Sequence, residues 1–195
     1  MRERTAALHS EAERSGIVAA LFRGQATRTA YALYLRNLLP VYRTIENALP
    51  QSPDLDQPGL YRSARIEADL QDLAGRDWAT ALPILPSAET YAARIATAAG
   101  TPTLIAHCYT RYLGDLNGGQ ILARRLNILF GPDFTALRFT EFPAAATQRA
   151  AYRDQLDRAG RCLADLTPVI EEAAIAFQLN ITLSVEIEKN ASEAN

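Results

Sequence analysis

Asp115 stands in Leu-Gly-Asp-Leu-Asn-Gly-Gly, residues 113–119, with glycines at 114, 118 and 119. A carboxylate held there can order water or move a proton. The glycines are what make it unusual. They sit between apolar, helix-patterned stretches at 104–108 and 121–130, and each glycine inside a helix costs about 1 kcal/mol relative to alanine. Three so close together need a reason. A bend is one, tight packing between helices is a second, and close approach of a large flat ligand is a third. Gly114 and Gly118 fall on one helical face and leave a groove without side chains, which Gly119 widens. Arg111, four residues earlier, offers Asp115 a competing role in a surface ion pair worth under about 1 kcal/mol.

Histidine is scarce: His9 and His107 are the only two. That excludes metal sites built from several imidazoles. Glu13 lies one helical turn beyond His9 and can orient its ring and raise its basicity, as carboxylates do beside metal-bound histidine. The plainer alternative is a surface histidine paired with a glutamate. His107, between Ala106 and Cys108, reads as a core histidine, and Cys108 as packing rather than a thiolate ligand.

Arg149 and Arg153 are one turn apart with Tyr152 between them. They suit a pair of carboxylates, because guanidinium binds carboxylate as a fork. A solvated arginine face, partly neutralised by Asp154 and Asp157, is the alternative. Phe177 reads as core, and Asn180 as either solvent-facing or a buried hydrogen-bonding group. Tyrosines 31, 34, 42, 109 and 112 read first as core, though hydroxyls beside a cavity could order water. No nucleophilic Ser/His/Asp set, phosphate loop or zinc pattern stands out.

The elements that must position these groups are helical almost throughout. A helix is expected over 2–14, ending near Ser15-Gly16, then a short apolar turn at 17–22. Thr27 caps a long helix to about Leu49, bent at Pro40. A Pro/Asp-rich loop covers 50–58, and a helix follows at 61–73. Ser87 caps a helix over 88–99 that Gly100 stops. Thr101-Pro102 opens a helix that runs through the glycines to Phe130. After a loop at 131–142 come helices near 144–164 and 168–188. No strand pair, repeat or domain linker is apparent. The chain reads as one all-α domain, with an ordered core over 2–188 and a polar tail at 189–195.

Composition fits an ordinary globular chain: 195 residues, 48% hydrophobic, net charge −2. The weak negative charge argues against a dedicated nucleic-acid binder. No apolar run approaches the roughly 20 residues of a membrane helix, and residues 1–15 lack a signal peptide's apolar core. Two cysteines make no disulfide framework, so a reduced, cytoplasmic setting is expected. Lys189 is the only lysine, a bias that hints at a GC-rich bacterial source.

Taken together, these segments resemble the haem oxygenase family. Residues 109–120 resemble its distal-helix motif, with Asn117 where serine is also usual. Residues 8–13 resemble its proximal histidine motif. Gly24-Gln25-Ala26-Thr27-Arg28 matches the start of its second long helix, and residues 176–180 match its last one. The resemblance spans about residues 2–183 in register. It implies a multi-helix fold with haem between a proximal helix and a glycine-bent distal helix. His9 would be the axial ligand of haem iron, with Glu13 beside it. Gly114 and Gly118 would let the distal helix lie close over the porphyrin, with Tyr109 in the same motif. Asp115 would organise a distal water network with Tyr42, Arg111 and Tyr112. Arg149 and Arg153 would hold the propionates, with Tyr152 beside them and Arg2 on the same side. Ala6 departs from the pattern, because a second basic residue is often found there. Phe177 and Asn180 would wall the pocket. The C-terminal membrane anchor of some animal members is absent, as in soluble bacterial forms.

The implied activity is haem degradation with dioxygen and electrons, giving biliverdin, ferrous iron and carbon monoxide. Haem is then both cofactor and substrate. No flavin or nicotinamide fingerprint is present, so electrons would come from a ferredoxin or an NAD(P)H-dependent reductase. A phytochrome is one conceivable acceptor of the bilin. The competing expectations are a haem storage, delivery or sensor protein without turnover, and a haem-free helical relative such as a thiaminase-like hydrolase.

Overall fold

Thr27 ends an extended stretch, and its hydroxyl accepts the Ala30 amide. That cap opens the central helix of the molecule, Arg28–Ala48. In the computed structural model, residues 1–193 are described, apart from the side chain of Arg2. In chain order the helices are α1 (Arg2–Glu13), α2 (Gly16–Arg23), α3 (Arg28–Ala48), α4 (Ser63–Ala74), α5 (Trp78–Ala81), α6 (Pro86–Ala98), α7 (Leu104–Cys108), α8 (Gly114–Phe130), α9 (Ala145–Arg161) and α10 (Thr167–Glu193). Helix α3 packs on α4, α6 and α10, and α10 also carries α1, α2 and α7. Its residues Tyr31, Leu35, Leu38, Leu39, Tyr42 and Ile45 are buried, the stripe expected of a helix enclosed on several sides. The described residues contain no strand.

Several boundaries differ from expectation for local reasons. The apolar run 17–22 is a helix, α2, not a turn. Gly16 opens it at φ +58°, and a Cβ there would lie 2.2 Å from the Ser184 backbone. The Val18 amide donates to the Ser184 hydroxyl, which donates to the Ser15 carbonyl. Tertiary contact with α10 therefore extends helix where the sequence reads a break. Pro86, not Ser87, starts α6, and the Ser87 amide donates to Glu186 of α10. A turn at 102–103 delays α7 to Leu104. Pro40 sits inside α3 without ending it. The expected polar tail is helical through Glu193, and residues 194–195 lie outside the described residues.

Between α7 and α8 the helix continues as a π-turn, Tyr109–Leu113. Such single-turn insertions are rare and gather at functional sites. It lies directly before the glycines.

Candidate active site

Helices α1, α2, α8 and α10, with the 139–142 segment, enclose one cavity of about 860 Å³, counting its open mouth. His9 and Glu13 of α1, Gly114, Asp115 and Gly118 of α8, Arg111 of the π-turn, and Phe177 and Asn180 of α10 all line it. These residues are brought together as expected.

His9 stands on one wall, its side chain about half exposed at 51%. Its Nδ1 is 3.7 Å from Glu13 Oε1, beyond a direct hydrogen bond but within reach of one bridging water. The edge of its ring meets Phe177 at 5.7 Å, which limits how the imidazole can turn.

The opposite wall carries a closed polar network. The Tyr42 hydroxyl donates to Asp115 Oδ2. Arg111 donates to the Tyr42 oxygen from Nη2 at 2.7 Å and from Nε at 3.1 Å, and to Asn180 Oδ1 at 2.6 Å. Its Nη2 is 3.6 Å from Asp115 Oδ1. Arg111 is 5% exposed and Asp115 12%, so this is no surface pair. Burial pushes the Asp115 carboxyl above its ordinary range, against the pull of Arg111, the Tyr42 bond and Arg62. Burial also raises Tyr42 well above its ordinary value, so its hydroxyl stays a donor.

The three glycines have two different jobs. A Cβ on Gly114 or Gly118 would meet nothing within 4 Å, whereas on Gly119 it would lie 3.0 Å from the Thr140 carbonyl and 3.3 Å from the Phe142 ring. Gly119 is the packing glycine. Gly114 and Gly118 keep open a strip that side chains would fill.

Other expected site residues stand elsewhere. Tyr152 is fully buried, its ring edge-on to Tyr112 at 5.9 Å, so it is core behind the π-turn and not a wall residue. Tyr112 is also core: its ring packs on Tyr42 at 6.0 Å, and its hydroxyl has no partner in the network. Neither tyrosine lines the cavity. Tyr109 packs edge-on against Phe177 at 6.4 Å and backs the wall. Arg149 reaches α8, donating to Asn117 Oδ1 at 3.3 Å, and Arg153 is exposed on the same helix. Neither lines the cavity. The side chain of Arg2 lies outside the described residues. His107 is buried against Glu172 at 3.0 Å, a core histidine as expected.

The cavity also takes Leu21 and Phe22 from α2, Tyr34 from α3, and Phe139 and Phe142 from the 139–142 segment. Sequence reading missed Leu21, Phe22, Phe139 and Phe142 as wall residues and left Tyr34 open between core and cavity. Tyr34 could have been found, because spacings of four and eight place it with Leu38 and Tyr42 on one face of α3. The loop aromatics carry no such signal.

The arrangement can hold a flat apolar group between an imidazole and a glycine strip, with a proton-ordering network to one side. Comparison with known proteins supplies the class. The Heme oxygenase family model matches residues 1–186. Heme oxygenase 1 of Synechocystis sp. is 31% identical over 205 residues, covering 100% of this chain and 85% of that protein. Heme oxygenase of Rhodella violacea is 32% identical over 202 residues, 97% of this chain and 86% of that one. Among solved structures, heme oxygenase-2 from Synechocystis sp. in complex with heme and NO superposes with a TM-score of 0.89 at 31% identity, covering 99% and 85% of the two chains. Heme oxygenase from Leptospira interrogans gives 0.86 at 29%, covering 95% and 96%.

Proposed function

The chain belongs to the haem oxygenase family, and from that premise we propose how its own residues degrade haem. Haem is the substrate and also supplies the redox chemistry, with dioxygen and electrons, that opens its ring to biliverdin with loss of iron and carbon monoxide. The observation that carries this reading is the glycine strip at Gly114 and Gly118, which shares one cavity with His9 and the Asp115 network.

His9 would hold the iron. Glu13, 3.7 Å from Nδ1, would orient the ring and leave Nε2 for the metal. Leu21, Phe22, Phe139, Phe142 and Phe177 keep bulk water from the haem faces. Arg149, which donates to Asn117 of α8, and Arg153 one turn on would reach the propionates from outside the cavity that they do not line. On the glycine side, the strip without side chains at Gly114 and Gly118 would leave room beside the haem for dioxygen. Arg111 and Asn180 fix the Tyr42 oxygen, Tyr42 donates to Asp115, and the remaining Asp115 lone pairs anchor water. This network would let protons be delivered through ordered water rather than directly from a charged acid. Tyr112 supports this network by packing against Tyr42.

Exposed arginines 124, 125 and 153 on α8 and α9 suit an acidic electron donor, a ferredoxin or the docking face of an NAD(P)H-dependent reductase. A phytochrome is a suitable acceptor for the bilin. The two unpaired cysteines agree with a cytoplasmic setting, and no helix among the described residues is long and apolar enough to cross a membrane. The test is to incubate purified protein with haemin and an electron donor under air. Loss of the Soret band with bilin and carbon monoxide formation is expected. Lasting Soret absorbance without either product would leave a haem carrier instead.

A further inference from the structure

Arg62 is fully buried, yet no carboxylate of the described residues pairs with its guanidinium. Burying a charge without a counter-ion is costly, by several kcal/mol before compensation. Compensation here comes from carbonyls. Nε donates to Leu60 and Tyr61 at 2.9 Å each, and Nη2 to Gly59 at 3.2 Å. Nη1 crosses to Glu141 at 2.8 Å and Phe139 at 3.4 Å. The guanidinium also lies 4.0 Å from the centre of the Phe142 ring. A single side chain thus ties the start of α4 to the segment 139–142.

Helix α4 grips that segment twice. Asp69, about two turns along α4 from its start, accepts the amides of Arg138 and Phe139 at 3.1 and 2.8 Å. Arg62 takes carbonyls and Asp69 takes amides, so the segment is clamped by opposite charges. What it carries is the site. Phe139, Thr140 and Phe142 line the cavity, and Phe139 meets the Tyr42 ring edge-on at 5.8 Å. The Thr140 carbonyl and the Phe142 ring are also the surfaces on which Gly119 rests.

We propose that Arg62 is a positioning residue of the haem site. It acts through segment 139–142 to set the height of the glycine strip over the haem and the placement of Tyr42. Its charge is also the last of the influences that draw the Asp115 carboxyl back down against burial. This role rests on the haem-degrading reading above. It needs arginine in particular, because lysine keeps the charge but cannot serve five carbonyls from a rigid fork.

The test compares Arg62→Lys and Arg62→Met with the wild type. In the haem-free chain, amide hydrogen exchange over 138–142 should accelerate on the order of tenfold or more in both variants, with the α1 and α10 amides unchanged. With haemin bound, kcat should fall about tenfold in both while KM moves far less, the pattern of lost positioning. The pH midpoint of the haemin-loaded visible spectrum should rise in Arg62→Met and stay near wild type in Arg62→Lys, because only methionine removes the charge. Faster exchange with wild-type kcat and spectral titration would reduce Arg62 to a structural residue. Unchanged exchange would overturn the clamp itself. If Arg62→Met does not fold, Arg62→Lys carries the exchange and kcat tests alone. A wild type that never turns over haem sinks the function and this role with it, whereas a failure of the variants alone sinks only the role.

Discussion

Asp115 is a held group. Three of its neighbours, Tyr42, Arg111 and Arg62, oppose the effect of burial on its carboxyl, and Tyr42 donates directly to it. Removing the carboxylate leaves the Tyr42 hydroxyl and Arg111 with a lost acceptor, and the distal water with no anchor. Asp115→Ala should therefore bind haemin normally and lose on the order of a hundredfold in bilin formation, measured as bilin absorbance per haemin consumed. A normal bilin yield would exclude Asp115 from proton delivery. On the proposed reading His9 works on the other face, and its loss should read out differently. His9→Ala should lose the wild-type coordination spectrum of bound haemin, with turnover falling to background, and added imidazole should restore part of the spectrum. An unchanged spectrum would assign the iron ligand elsewhere.

The distal element owes its shape to a π-turn followed by glycines with separable roles. Gly118 faces open cavity, whereas Gly119 is pressed on the Thr140 carbonyl and Phe142. Substitution at the two adjacent positions should thus act in opposite directions. Gly118→Leu should leave the haem-free protein as stable or up to about 1 kcal/mol more stable, since leucine favours helix. It should also weaken haemin binding at least about tenfold by filling the strip. Gly119→Ala should destabilise the haem-free protein by about 1 kcal/mol or more, because overpacking against backbone outweighs the propensity gain. Denaturant melts of both haem-free variants, with haemin titrations, check the pair. Equal effects at the two positions would mean that the glycines serve packing alone.

At the scale of the whole molecule, α10 is the spine, and its buried charges link stability to pH. Glu172 accepts His107 at 3.0 Å and receives both Arg94 donors. Burial holds the His107 ring below its ordinary value of about 6.5, despite the pull of Glu172 toward protonation. The unfolded chain therefore takes up the His107 proton first as pH falls. Folded stability supported by neutral His107 is complete above about 6.5 and declines below it, toward the depressed folded value. Melting temperature should drop as pH falls through that window, and His107→Gln should flatten this part of the profile. A wild-type profile that is level there would contradict a buried neutral ring. The sequence by itself determined the helical class, most helix positions, the family, and His9, Asp115 and Arg111 as groups worth following. Periodicity and local motifs record which face of a helix is apolar and which residues cluster along the chain. They do not record what packs on that face. Only tertiary structure decided that Gly114 and Gly118 open onto the cavity while Gly119 packs, that Tyr112 and Tyr152 turn into the core, and that residues 17–22 stay helical against α10. It also joined Tyr42 to Asp115 across 73 residues and Arg62 to Glu141 across 79. Hydrogen bonds of that separation arise from how whole helices dock, and no local spacing encodes them.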